Sequence, residues 1–495
     1  MPNKFVSNLS KMYNAIFRTC GNIDLKFTKN LLCSKGFHAM ASRKYEINMT
    51  SGPLLGKILL FAIPLALSSL LQLLFNAADV IVVGRYAGSM ALAAVGSTSA
   101  LINLLTNLFM GLSVGANVLF ARYIGSNQPD RAKDLMHTSI TISIICGAIL
   151  TVIGLVFSRP LLHLMGTPDE VIGLASTYMK IYFLGMPAML FYNFGSAILR
   201  AVGDTRRPLI FLAVSGCINV ILNIFFVTQL HMSVSGVALA TIISQFISAC
   251  LLFYCMVRGQ GACHLEVKKL TVKWEHFQKI VSIGLPAGLQ GMIFSLSNVL
   301  IQSSVNSFGA IAVAGNSAAA NIEGFVWVAM NAFHQTAISF TSQNYGAREF
   351  KRVHKTLICC QFLVILTGLL LGNGAYFFGN TLLGFYNSDP EVIAYGLTRL
   401  KYICILYFTC GVMDTFVGSI RGLGYSFMPT IVSLLGACAL RIVWILTIFR
   451  YFHSLEVLYV SYPITWILTL SIHFICYMKA TKKLFGKPVV EQIGS

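Results

Sequence analysis

Residues 58–83 read ILLFAIPLALSSLLQLLFNAADVIVV, and this run decides the fold. A single charge, Asp79, interrupts a segment longer than the roughly 20 apolar residues a helix needs to cross a bilayer. Comparable near-charge-free runs occur at 135–157, 209–230, 234–257, 356–378 and 428–449. A membrane β-barrel would instead alternate polar and apolar residues in short segments. The runs therefore predict an all-α polytopic membrane protein.

Composition points the same way. Of the 495 residues 56% are hydrophobic and only 11% charged, against roughly 25% charged in soluble domains. Such a chain has too little polar surface to face water all round, so its partner is the lipid bilayer. The net charge of +19 does not indicate nucleic acid, because the basic residues sit at helix ends without interleaved aromatics. Counting twelve helices, Arg122, Arg131, Lys133, Arg200, Arg206, Arg207, Arg258, Lys268, Lys269, Lys273, Arg348, Lys351, Arg352, Lys355 and Arg421 fall in loops on one side. The other side has Arg85, Arg159 and Arg450, with Lys180, Arg399 and Lys401 close to the outer helix ends. The positive-inside rule then predicts a cell-membrane protein, in an inner or plasma membrane, with both termini cytoplasmic. The 13 cysteines show neither a disulfide framework nor metal-ligand spacing.

An internal repeat sets the organisation. At a shift of 221 positions Gly125 meets Gly346, Glu170 meets Glu391, Lys180 meets Lys401, Arg200 meets Arg421, Gly203 meets Gly424 and Pro208 meets Pro429. These matches lie at helix ends and loops, where shared apolarity cannot create them. The predicted division is a polar basic extension at 1–48, a six-helix lobe at 49–257, a cytoplasmic linker at 258–275, a second six-helix lobe at 276–482 and a tail at 483–495. Two repeats of like topology are related by an axis along the membrane normal, and their interface is where transporters hold cargo. Twelve helices as two six-helix repeats around a central cavity is the expected architecture.

The order of short motifs adds a resemblance. Asn76-Ala-Ala-Asp79-Val-Ile-Val-Val-Gly84-Arg85, the stretch Leu199-Arg200-Ala-Val-Gly203-Asp204-Thr205-Arg206-Arg207-Pro208 with its echo at 421–429, and Gln343-Asn344-Tyr345-Gly346-Ala347 together resemble the multidrug and toxic compound extrusion (MATE) family. The resemblance runs from about Met49 to Lys482. It implies two lobes around a central cavity and a secondary antiporter, not an enzyme, that exports drugs or other small organic compounds, cationic ones above all, in exchange for H⁺ or Na⁺ by alternating access. It implies no cofactor beyond the coupling ion, a small-molecule cargo and a monomer.

Asp79 is the first candidate for chemistry. An acid inside a spanning helix is costly unless it is paired, hydrated or protonated, and a proton removes the charge that lipid penalises. Gln72, Asn76 and Asp79 lie at i, i+4 and i+7, so one face of the first helix is polar. Asn219 and Asn223 share a face of the fifth helix. At about 1.5 Å per residue, Asp79, Asn223 and Thr241 of the sixth helix all lie ~7–10 Å below the outer helix ends. The family's cation site is similar in its helix 1 Asp, helix 5 Asn and helix 6 Thr, which assigns cation coupling to Asp79, Asn219, Asn223 and Thr241, the place of a possible Na⁺. Where the family often has a second Asp, this chain has Asn223, and the loss of a carboxylate favours H⁺ over Na⁺.

In the second lobe the charges break the repeat, since Glu323 maps to Ile102, Asp414 to Asn193 and Arg441 to Val220. Glu323, Asp414 and Arg441 are expected to form a second charged cluster, and Asp414 resembles a helix 10 acid used by part of the family. Asn331 and His334, within one turn of each other, are read either as a proton relay or as satisfied polar contacts. Met110, Met186, Met292 and Met330 with Phe191, Phe325 and Trp327 are read either as a soft cavity lining or as packing. Two rival functions remain. A flippase for lipid-linked saccharides would need several cavity-facing basic groups for the pyrophosphate, and an intramembrane acyltransferase on His334 and Asn331 would not need a duplicated scaffold.

Overall fold

The computed structural model describes residues 45–259 and 261–486. The predicted extension therefore lies outside the described residues except for 45–48, and the predicted tail except for 483–486, which still belong to the last helix or its cap.

Among the described residues nine helices are long and apolar enough to cross a bilayer, and two bent helix pairs raise the number to eleven. The twelfth span is Ala310–Gly346, whose 37 residues exceed the needed length. Its Asn316, Asn321, Glu323, Asn331 and His334 make it too polar to stand out by hydropathy. It is tolerated because protein, not lipid, surrounds most of it: Asn316, Glu323 and His334 are all buried.

The first span is Leu54–Val82, continued by a π-helical turn at Val83–Ala87. The second is Ser89–Gly125, the third Pro129–Leu164 and the fourth the pair Asp169–Leu184 and Met186–Ala201, bent by 48°. Pro187, in the first turn after the bend, lacks the N–H that would continue the ladder. The fifth is Arg206–Thr228 and the sixth Val234–Arg258. The second lobe repeats this plan. Its seventh span is Trp274–Asn306, its eighth Ala310–Gly346, its ninth Phe350–Phe377 and its tenth the pair Pro390–Cys404 and Tyr407–Gly422, bent by 45°. The eleventh runs as Phe427–Ser433, a π-helical stretch Leu434–Ala439, Leu440–Leu446 and Ile448–Tyr451, and the twelfth is Leu455–Phe485.

The register of the repeat survives folding. Spans two to six and both segments of the fourth begin 221 positions before their counterparts, as Ser89 and Ala310 or Val234 and Leu455 illustrate. The loops at 126–128, 202–205, 259–273, 347–349 and 423–426 share one side of the bundle, which carries most of the basic residues and is called the basic side below.

The lobes meet on that side. Gly111 and Gly115 of the second span face Gly288 and Gly284 of the seventh, and a Cβ on any of the four would strike backbone of the opposing helix. Nearer the basic end a Cβ on Gly125 would meet the Gln343 carbonyl, and one on Gly346 the Arg122 carbonyl, so the two halves cross symmetrically. Asn117 ties the lobes by accepting from the Ser339 hydroxyl at 3.2 Å. The segment before the first helix also bridges them. The Met49 N–H donates to Gln343 Oε1 at 3.2 Å, its carbonyl accepts from Arg352 Nε at 2.9 Å, and the Tyr45 ring faces the Arg207 guanidinium. The linker is held under the third span by a Lys273–Asp134 ion pair of 2.6 Å and by the Glu266 N–H donating to His137 Nε2.

Towards the opposite side this close packing ends near Asn107, whose Nδ2 donates to Ser295 Oγ at 3.4 Å. Beyond it Asn103, Leu296, Asn321, Phe325 and Trp327 are exposed. The lobes thus close on the basic side and part on the other. Of the apolar residues weighed as cavity lining, Phe325 and Trp327 are exposed whereas Met186, Phe191 and Met330 are buried packing.

Candidate functional site

Each lobe buries a polar centre within its own six spans. In the first lobe the packing of spans one and five creates it. Gly216 of the fifth span lies against the Phe75 ring of the first, and a Cβ there would collide with that ring. The absence of a side chain lets the two helices approach one turn below Asp79. Asn219 and Asn223, one and two turns on from Gly216, then point at the first span.

The result is a continuous chain of hydrogen bonds. Asn223 Nδ2 donates to Asp79 Oδ1 and, at 3.3 Å, to Asn219 Oδ1. Asn219 Nδ2 reaches Thr241 Oγ1 at 3.5 Å, and the Thr241 hydroxyl donates to the Val237 carbonyl at 2.9 Å. Asn219 and Asn223 are buried, Asp79 and Thr241 half-buried. The four side chains that sequence placed at one depth thus lie together. Asn223 Oδ1 is buried without a hydrogen-bond partner. Asp79 is the only formal charge of the pocket among the residues named.

Two further side chains belong here that sequence reasoning missed. Tyr178 and Tyr182 of the fourth span stack at 5.9 Å and lie within the electrostatic reach of Asp79, and Tyr182 hydrogen-bonds Gln245. The signal was present: the two tyrosines are four residues apart, as are Thr241 and Gln245, so each pair shares a helix face. Gln72 and Asn76, by contrast, are exposed on the first span, away from this chain.

In the second lobe the expected cluster of Glu323, Asp414 and Arg441 does not form. Glu323 pairs with Arg399, whose Nη2 and Nε lie 2.5 and 2.9 Å from Glu323 Oε2. The third guanidinium donor, Nη1, meets Asn316 Oδ1 at 2.7 Å, which also accepts from the Tyr459 hydroxyl. Arg399 is itself buried. Its position near a helix end had suggested a loop-side charge, but the tenth span turns it into the lobe. Arg441 lies in the same neighbourhood with its guanidinium over the Tyr462 ring at 3.9 Å and Nη2 donating to Thr465 Oγ1 at 3.1 Å.

Asp414 sits elsewhere, nearer the basic side. Its backbone carbonyl is bound by His334 Nδ1 at 2.6 Å, and its carboxylate lies in the field of Arg421. Arg421 in turn donates to Gln290 Oε1 at 2.8 Å. The backbone bond occupies one ring nitrogen of His334, which fits the satisfied-contact reading better than a relay. Asn331 is half-buried on the same span. Among the described residues no group of three or more His, Cys, Asp or Glu could hold a metal ion.

One of the motif loops has a structural task. Asp204 Oδ1 accepts from the N–H groups of Arg206 and Arg207 at 3.1 Å each, capping the fifth span, while Oδ2 pairs with Arg207 Nε at 3.0 Å. Burial pushes its carboxyl up to about 6 against the opposing pull of Arg207.

Comparison with known proteins places this arrangement. The MatE family profile matches residues 64–225 and 286–479. The chain is 28% identical to the probable multidrug resistance protein YpnP of Bacillus subtilis (strain 168), covering 80% of this chain and 88% of that protein. It is 24% identical to an FAD transporter of Shewanella oneidensis over 75% of this chain and 83% of the relative. Among solved structures, an outward-facing multidrug resistance MATE family transporter of the MOP superfamily superposes with a TM-score of 0.83 at 21% identity, covering 89% of this chain and 98% of that one.

Proposed function

The chain belongs to the MatE family, the multidrug and toxic compound extrusion transporters, and we propose that it is a secondary antiporter exporting small organic compounds in exchange for H⁺. Its fold is that family's twelve spans in two repeats. The observation that carries the coupling reading is the hydrogen-bonded chain from Asp79 through Asn223 and Asn219 to Thr241, in which one carboxylate has only neutral partners. A proton cancels the only charge in such a pocket and needs no further ligand. A sodium ion needs several oxygens and leaves a net positive charge when only one anion is present.

The same reading puts the basic side in the cytoplasm, with both termini there, the two lobes at 49–257 and 276–482, and the cargo in the space between the lobes facing the other way. Names borne by relatives range from multidrug resistance to FAD transport, so organic cations are the first cargo to test and not the last. The saccharide-flippase alternative asks for several unpaired basic groups. Among the described residues Arg399 is engaged with Glu323, and Arg122, Arg200 and Arg421 lie at helix ends on the basic side, which leaves Arg441 as the unpaired guanidinium away from that side.

Proteoliposomes loaded with a fluorescent organic cation, under separately imposed pH and Na⁺ gradients, test the proposal. Efflux driven by the pH gradient alone is expected. Efflux that follows Na⁺ and ignores pH would overturn proton coupling.

A further inference from the structure

The two lobes bury their polar centres at equivalent positions of the repeat, but with opposite charge. Thr241, which closes the hydrogen-bonded chain of the first lobe, corresponds to Tyr462, which faces Arg441 in the second. Tyr178, beside Asp79, corresponds to Arg399. Val220, next to Asn219, corresponds to Arg441, and Ser244 to Thr465. The first lobe therefore holds one carboxylate among neutral groups. The second holds two guanidinium groups against one carboxylate.

That carboxylate makes its hydrogen bonds with Arg399. Both Arg399 contacts to Glu323 fall on Oε2, and the remaining Arg399 donor is taken by Asn316. Among the described residues no acid forms an ion pair with Arg441. Only 6% of its surface is exposed. A ring face and one hydroxyl are its partners, and its Nε–H is buried with none. Glu323 is the carboxylate within electrostatic reach of Arg441, and because Arg399 shares it, the two guanidinium groups keep one positive charge in excess, which is unfavourable by several kcal/mol or so in a lobe interior. The eleventh span also carries a π-helical stretch, Leu434–Ala439, immediately before Arg441. Such bulges rotate the following residues relative to a regular helix and recur at functional sites.

We propose that Arg441, with the Thr465 hydroxyl beside it, forms a binding site in the second lobe for one small monovalent anion, a halide or a carboxylate. The unpartnered Nε–H and the guanidinium charge supply what such an ion needs, a charge-assisted donor in a water-poor setting. The anion balances the surplus positive charge of the lobe. Two sources share this chemistry: chloride from solution, and the carboxylate of a cargo molecule.

Trp466 provides a native reporter, since its ring packs edge-on to Tyr462 at 5.6 Å. Purified full-length protein in sulfate buffer, whose anion is neither monovalent nor a carboxylate, is titrated with chloride and bromide at constant ionic strength, and tryptophan fluorescence and melting temperature are followed. A saturable response to halide is expected. In Arg441→Gln the half-saturating concentration should rise about tenfold or more, as loss of a charged hydrogen bond requires. Asp79→Asn should leave the response intact. If Arg441→Gln does not fold, Arg441→Lys serves, because it keeps the charge and loses the Nε–H; weakening of about tenfold is expected there too. Displacement of halide by acetate identifies the carboxylate class, and failure of acetate to compete identifies the free halide. A response no larger than in sulfate alone, or one that persists in Arg441→Gln or is unchanged in Arg441→Lys, overturns the site.

Discussion

Asp79 in the first lobe and Glu323 in the second are both acids inside spanning helices, yet their surroundings suit them to the opposite duties proposed for them. The partner of Asp79 is the amide of Asn223. A proton there removes the only charge of the pocket at no cost to a counterion. Glu323 lies against Arg399, and a proton on it would leave two buried guanidinium groups without a counter-charge. The difference teaches that burial alone does not make an acid a coupling residue. What matters is whether its neighbours tolerate the loss of its charge.

The strongest way to break this comparison is to neutralise each acid in turn. Asp79→Asn should abolish uphill export completely while the variant folds and melts like the native protein, read by the steady-state accumulation ratio in proteoliposomes and by the melting temperature. Normal uphill export by this variant would move the coupling acid to Asp414, the other membrane acid without an ion pair among the described residues. Glu323→Gln should do the reverse. Removing one partner of a buried ion pair costs about 3–5 kcal/mol, so a large drop in melting temperature is expected, with recovery in Glu323→Gln/Arg399→Gln. A Glu323→Gln protein as stable as the native one would show that the pair is dispensable.

The first lobe was legible in the sequence and the second was not, for a physical reason. Asp79, Asn219, Asn223 and Thr241 sit on helices one, five and six; helix periodicity gives each a face and a common depth, and the resemblance to the family implies that the three helices meet there. The repeat was legible because its matches fall at turns such as Gly203 and Gly424, both of which adopt positive φ. The Glu323–Arg399 pair depends instead on how the tenth span bends and rotates, which residue spacing does not encode. Arg399 and Lys401 are neighbours in sequence, yet one is buried and the other exposed. The eighth span escaped the apolar count because its polar residues lower its hydropathy, and the buried ones are satisfied by other spans, as Asn316 illustrates through Gln302, Arg399 and Tyr459.

A gentler change sharpens the account of the first lobe. Asn223→Asp adds a second carboxylate beside Asp79 in a pocket that also offers the Asn219 and Thr241 oxygens. Affinity for a hard cation rises with the number of anionic ligands, so the half-saturating Na⁺ concentration for export should fall about tenfold or more. Export by this variant that remains indifferent to Na⁺ would mean that the pocket lacks oxygens enough to hold the ion.

The smallest effect comes from one of the positions at which the two repeats can be compared directly, Thr241 and Tyr462. In the first lobe Thr241→Val keeps the shape of the side chain and removes the hydroxyl. The Asn219 amide then loses its acceptor, and the loss of one neutral hydrogen bond should cost about 1 kcal/mol. In the second lobe Tyr462→Leu keeps an apolar side chain and removes the ring beneath Arg441, a contact of about 0.5–2 kcal/mol depending on how far the guanidinium is desolvated. Similar drops in melting temperature are thus expected from the two changes, but their ion dependence should differ. The Thr241→Val drop should not respond to halide, because no guanidinium lies in that pocket. The Tyr462→Leu drop should shrink when chloride replaces sulfate, since an anion bound at Arg441 compensates part of the charge the ring had shielded. Equal chloride responses in both variants would mean that the charge asymmetry between the lobes has no bearing on what each lobe binds.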